Sequence, residues 1–216
     1  GGISPLLEGE EMKVSAPGFK GGDRTDIDLP AAQRNVLAAL KKAGKKIVFV
    51  NFSGSAMALA PEAGNCDAIL QAWYPGQAGG TAVADVLFGD YNPAGRLPIT
   101  FYKHTEQLPD FEDYSMQGRT YRYMKETPLF PFGYGLSYTT FSYGKAQADK
   151  NLLNKGDKLS LSIPVKNTGK RNGEEIVQVY IRRPADKEGP AKTLRAFKRV
   201  EIAKGETENV TIEFSF

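Results

Sequence analysis

The hydrophobic period changes once along this chain, and that change constrains the fold more than any single motif. Up to about residue 100, short apolar runs alternate with helix-period segments. LPAAQRNVLAALKKAG (29–44) reads as a helix, with Pro30 in the first turn, Val36, Leu37 and Leu40 on one face, and Gly44 as the stop. KKIVFVNF (45–52) and CDAILQAWY (66–74) are continuous β-branched and aromatic runs, the pattern of buried strands. GGTAVADVLFG (79–89) predicts the next helix, ended by Gly89, and Gly54 to Ala60 a short one. RLPITF (96–101) predicts an edge strand, because Pro98 is unsuited to a fully paired central position. Strand and helix alternating in this rhythm give right-handed crossovers and a mostly parallel sheet flanked by helices, an α/β sandwich.

From about Lys145 the period drops to two. KLSLSIPVKNTG (158–169), EEIVQVYIRRP (174–184), LRAFKRVEIAKGE (194–206) and ENVTIEF (208–214) alternate apolar and polar residues between Gly, Asn and Pro turns. That is the signature of a β-sandwich, with Ile163, Val165, Val177, Val179 and Ile181 facing its core. The segment supplies about four or five strands against the seven of a complete immunoglobulin-like sandwich, so an incomplete one with an exposed edge is expected. The expected division is 1–144, including an aromatic-rich connector over 102–144, and 145–216 for the sandwich.

The 216 residues suffice for one or two domains, and 41% hydrophobic with 25% charged residues is ordinary for a globular chain. A net charge of +3, spread over short pairs such as Lys41-Lys42 and Arg182-Arg183, argues against a nucleic-acid partner. No apolar run has the length of a membrane span, and no signal-peptide pattern opens the chain. Cys66 and His104 are each the single residue of their kind, which excludes an intramolecular disulfide and a zinc site of the usual His/Cys type. The chain begins Gly1-Gly2 without Met and stops at Phe216 within a strand pattern, so a piece of a longer polypeptide is expected.

Several segments could carry chemistry. Glu8, Glu10 and Glu11 lie in a glycine-rich opening segment that ends in Asp23 and Arg24. A loop carboxyl group that is partly desolvated can donate a proton near neutral pH; by themselves, three loop glutamates read as solvated charges. PGQAGG (75–80) precedes a helix but has neither nucleotide fingerprint, and reads as a tight turn. Ser53 and Ser55 follow a strand without G-x-S-x-G spacing, and their base could only be His104, so helix capping is the better account. Trp73, Tyr74, Tyr91, Phe111, Tyr114, Tyr121 and Tyr123 have rings able to stack on sugars, with packing as their default use. Arg119 and Arg122 in GRTYRY read as loop-orienting residues.

The blocks GDYNPAGRLPITF, GRTYRY and PFGYGLSYTTF resemble the second domain of glycoside hydrolase family 3, and the tail resembles the fibronectin type III-like domain that closes many of its members. The resemblance implies the C-terminal part of an exo-acting, retaining β-glucosidase or β-xylosidase, acting without a cofactor on β-linked oligosaccharides or aryl β-glycosides. It places Glu8 as general acid/base, with Glu10 the close competitor. Asp23 and Arg24, which close the loop, read by themselves as its supports, Asp23 accepting backbone N–H bonds and Arg24 pairing locally. Retention requires a second carboxyl group close by. In the family this is an Asp on a (β/α)8 barrel of about 250 residues, and none of Asp90, Asp110 and Asp113 matches its motif. The barrel is then the partner this chain needs, and the isolated chain is expected to be inactive. Family habit implies a periplasmic or secreted location. The alternative is a non-catalytic module that binds sugar or stabilises a separate catalytic chain.

Overall fold

The structure, a computed structural model, describes residues 16–215. These form two compact units. One gathers the residues up to Val83 with Ile99–Thr120 and Met124–Phe132; the other gathers Ala84–Pro98, Tyr121–Tyr123 and the chain from Gly133 onward. The 102–144 connector is therefore shared between both.

The first unit opens with a hairpin of β1 (Phe19–Lys20) and β2 (Asp23–Arg24). Its turn is Gly21-Gly22, both at positive φ (62° and 93°), the backbone that a two-residue hairpin turn demands and that glycine adopts without strain. α1 (Ala31–Lys42) follows, with Lys41 and Lys42 in its last turn where the helix dipole favours cations. Then come β3 (Val48–Asn51), α2 (Ala60–Asn65) and β4 (Ala68–Gln71), followed by α3 (Gly79–Phe88), whose residues from Ala84 on are counted with the other unit. β3 and β4 pair in parallel from Val48↔Ala68 to Asn51↔Gln71, so the crossover helix lies between two strands whose carboxyl ends coincide. Among the described residues, Leu29, Leu37, Ile47, Phe49, Met57, Ala58, Leu59 and Phe101 are the buried apolar residues of this unit.

Three local expectations are corrected. Residues 54–59 are not helical: Ala58 forms an isolated parallel bridge with Asp28, and its N–H donates to the Ile27 carbonyl. That pairing keeps the segment extended until Pro61, suited to a helix's first turn, starts α2. On α1 only Leu37 is buried; Val36 and Leu40 are exposed. The inward face carries Arg34 instead, whose guanidinium bonds Asp28, Glu62 and the Ala58 carbonyl. Residues 96–101 form no continuous strand, because Pro98 interrupts the ladder. Leu97 exchanges hydrogen bonds with Tyr134 and Gly133, and Phe101 bridges Phe130.

The second unit is a β-sandwich. β7 (Lys158–Asn167) pairs with β10 (Thr207–Ser215) on one side. On its other side β7 pairs with β5 (Phe141–Tyr143) and β6 (Gln147–Ala148), all antiparallel. β8 (Gly173–Ile181) and β9 (Thr193–Ile202) form the second sheet, with a register shift at Val179/Tyr180. Val165, Val177, Val179, Ile202, Val210, Ile212 and Phe214 fill the core, with Ile163 and Ile181 packed against it, as the period-two pattern requires. One core position on β8 is charged. Glu175 accepts from Arg96 Nη2 at 2.5 Å and from the Tyr143 hydroxyl at 2.7 Å. Burial, and then that bond to Glu175, push the Tyr143 phenol well above its ordinary range.

Candidate functional site

β3 and β4 each run three apolar residues and end in an amide, VFVN and AILQ, and the parallel register sets Asn51 beside Gln71. In parallel α/β sheets the carboxyl ends of strands are where ligands and functional loops gather. Asn51 is fully buried, and its Nδ2 donates to Gln71 Oε1 at 2.6 Å and to Ser53 Oγ at 3.1 Å. Gln71 Nε2 reaches Ser53 Oγ at 3.2 Å and the Ser53 carbonyl at 3.3 Å. Ser53 Oγ in turn donates to the Ser55 carbonyl at 2.9 Å. At Gly54, a Cβ would stand 2.7 Å from the Tyr74 ring.

Ser55 Oγ accepts from Arg24 Nη2 at 2.6 Å, and Arg24 Nη1 lies 2.9 Å from the Sδ of fully buried Met57. The end of the opening segment is thereby tied to the carboxyl edge of the sheet. Asp23 sits exposed beside it at the hairpin turn. Trp73, two residues past β4, takes a positive φ of 57°, costly for a side-chain-bearing residue, and packs edge-on to Phe101. A cavity of about 180 Å³ lies alongside, lined by Phe19, Arg24, Asp26, Asp28 and Arg34 among others. It is smaller than the roughly 300–1,000 Å³ of small-molecule sites, so a bound sugar needs more wall than these residues supply.

Glu8, Glu10 and Glu11 fall outside the described residues. Among the rest, neither serine is a nucleophile paired with His104: Ser53 Oγ is enclosed by Asn51, Gln71 and the Ser55 carbonyl, while His104 Nδ1 lies 3.0 Å from Glu106 on the surface. Nor does either serine cap α2, whose first turn has no side-chain cap. Burial pushes the Cys66 thiol up, away from reactivity. Asp110 and Asp113 accept the backbone N–H groups of Glu112 and Ser115, and the Ser115 bond holds the Asp113 carboxyl below the usual range. Arg119 gathers the carbonyls of Asp110, Asp113 and Ser115, leaving Phe111 and Tyr114 at 92% and 90% exposure. Tyr121 packs edge-on to Tyr180, and its hydroxyl accepts from Leu194 N–H. The Asn51–Gln71 pair was missed in the sequence reading; its signal was two apolar strands both ending in an amide.

Residues 2–138 match the family model described as Glycosyl hydrolase family 3 C-terminal domain, and residues 175–215 match the Fibronectin type III-like domain. The chain belongs to glycosyl hydrolase family 3. It is similar to a xylan 1,4-beta-xylosidase of Xylanibacter ruminicola, at 60% identity over 215 residues that cover 100% of this chain and 25% of that protein. It is 40% identical to a periplasmic beta-glucosidase of Salmonella typhimurium over 87% of this chain and 26% of the relative. Among solved structures, a β-glucosidase from Erythrobacter marinus superposes with a TM-score of 0.79 at 40% identity, over 97% of this chain and 28% of that one. This family 3 chain thus spans about a quarter of the length of the curated relatives it matches.

Proposed function

We propose that the chain is the C-terminal portion of a retaining, exo-acting β-glycosidase of family 3, cleaving β-xylosides or β-glucosides, and that its opening segment supplies the general acid/base. The observation that carries this reading is the tie between Arg24 and Ser55. It anchors the end of the glutamate-bearing segment on the carboxyl edge of a parallel sheet, where a rigid scaffold can present a loop. The relatives named as a xylosidase and a glucosidase supply the substrate class.

In the first step the Glu8 carboxyl proton passes to the glycosidic oxygen as the bond from that oxygen to the sugar's anomeric carbon breaks. An Asp carboxylate of the barrel bonds to the same carbon. In the second step the Glu8 carboxylate takes a proton from water as the water oxygen attacks that carbon and frees the Asp. The chain provides the proton shuttle and the barrel the nucleophile, and neither step uses a cofactor. A periplasmic or secreted location accompanies this reading.

The test is hydrolysis of nitrophenyl β-xyloside and β-glucoside by the chain alone and together with its barrel. Inactivity alone, and turnover on addition of the barrel that Glu8→Gln abolishes, is the expected result. Turnover by the isolated chain sinks the shared-site reading. Saturable sugar binding without turnover in either case selects the non-catalytic module instead.

A further inference from the structure

Phe111 and Tyr114 are the two most exposed large hydrophobic side chains among the described residues. One exposed ring needs no explanation, but two on a single held loop do. Asp113 N–H donates to the Asp110 carbonyl, which makes Phe111 the second residue of a β-turn over 110–113, with Tyr114 directly after it. Asp110 Oδ1 accepts from Glu112 N–H at 2.9 Å, and Asp113 Oδ1 from Ser115 N–H at 2.8 Å. Arg119 closes the loop, its Nε on the Ser115 carbonyl and its Nη2 on those of Asp110 and Asp113. Next to it Thr120 takes a φ of 57°, costly for a β-branched residue, and its N–H donates to the Tyr102 hydroxyl. The loop's polar groups thus hold its backbone in one shape while the two rings stand in solvent.

The groups beside the rings indicate their ligand. Asp110, Glu112 and Asp113 place three carboxylates around Phe111 and before Tyr114. The centres of protein–protein interfaces are depleted in Asp and Glu, because burying a carboxylate without a cation is costly, so a second protein surface suits this loop poorly. A sugar chain suits it well. The apolar face of a sugar ring covers an aromatic ring while its hydroxyls donate to carboxylate oxygens, and the charges stay in water. Three residues separate the rings, a span of at most about 11 Å along the chain, so one short oligosaccharide reaches both. We propose that Phe111 and Tyr114 form a stacking platform for β-linked oligosaccharide chains. The ligand class rests on the family 3 reading above, and the site on the geometry of this loop. An exo-acting enzyme releases one sugar at a time, and the remainder of a long substrate needs a surface to lie on.

The experiment uses the full-length enzyme in native gels containing soluble xylan or hydroxyethyl cellulose, with saturating xylose or glucose to suppress turnover. Retardation by at least one polysaccharide is expected. The double variant Phe111→Ala with Tyr114→Ala should bind that polysaccharide on the order of tenfold more weakly, since each ring loses a stacked apolar face. Phe111→Tyr with Tyr114→Phe, which keeps both rings, should run like the parent. Melting temperature and kcat/KM on nitrophenyl β-xyloside and β-glucoside should stay at parental values in both variants, because a single sugar leaves no chain to hold. A parent that neither gel retards, or an alanine variant retarded as strongly as the parent, overturns the platform. So does a loss of binding matched by a lower melting temperature and by equal losses on the nitrophenyl substrates, which would mean that the rings pack against the rest of the protein. A parent inert on both nitrophenyl glycosides overturns the activity proposed above, and the gels still decide the platform by themselves.

Discussion

The carboxyl edge of the parallel strands and the core of the β-sandwich both bury side chains, and they are built on opposite rules. The sandwich core is apolar at nearly every inward position, and its one charge, Glu175, has two partners. At the strand edge Asn51, Ser53 and Gln71 converge on one another, and one carbonyl goes unpaired. The sandwich is arranged for stability. The edge keeps a polar cluster in place of apolar packing, with Ser53 bonded to the Ser55 carbonyl and Ser55 Oγ accepting from Arg24.

The largest effect that could break this contrast lies at Arg96. Arg96→Met leaves Glu175 buried with only Tyr143, and removing one partner of a buried ion pair costs about 3–5 kcal/mol. Urea melts of the sandwich should show a loss of that order; a loss below about 1 kcal/mol would mean that Glu175 simply rehydrates.

Gln71→Leu at the strand edge should cost less, about 1–3 kcal/mol, by stranding the Asn51 amide. Replacing both amides, Asn51→Leu with Gln71→Leu, should recover most of that stability. Chemical denaturation of the single and double variants checks both expectations. A double variant no more stable than Gln71→Leu would erase the distinction between the two regions.

A smaller effect is expected with pH. The Tyr143 phenol is raised in the folded state, so its contribution is fully present below the unfolded value of about 10 and is lost as pH rises above it towards the folded value. Sandwich stability should therefore fall more steeply above pH ~10 in the parent than in Tyr143→Phe, read from denaturation curves at paired pH values. Smallest of all is the surface pair of Lys46 with Asp67, whose lysine is 92% exposed. Lys46→Ala should leave the melting temperature unchanged, because exposed ion pairs contribute little.

The two regions also differ in how far the sequence reveals them. Alternation in KLSLSIPVKN and GEEIVQVYI names the inward residues one by one, because a strand's period ties each residue to a face. The extents of α1 and α3 are equally legible, each closed by a glycine at positive φ, Gly44 and Gly89. The edge was not, because the contact that organises it joins Arg24 to Ser55 across 31 residues, and no local pattern encodes that meeting. Ser53-Gly54-Ser55 resembled a nucleophile elbow or a helix cap because serines between a strand and a helix serve both ends. Only the pairing of Asp28 with Ala58 shows why the helix starts later. Within α1, Arg34 outcompeted Val36 and Leu40 for the inward face, since its three acceptors lie elsewhere in the chain.

At the rim of the sandwich, Asn167 spends its amide on three stretches of chain, around Thr139, Gly169–Arg171 and Ile202. Its Oδ1 accepts from Thr139 Oγ1 and Gly169 N–H, and its Nδ2 donates to the carbonyls of Arg171 and Ile202. One side chain therefore closes a circuit among loops that the strand ladders do not connect. No single loop there can open without breaking bonds that belong to the others, so the amide hydrogens of Gly169 and of the neighbouring strand ends should exchange with deuterium as a cooperative group. The rim then behaves as a latch, with Asn167 as its bolt.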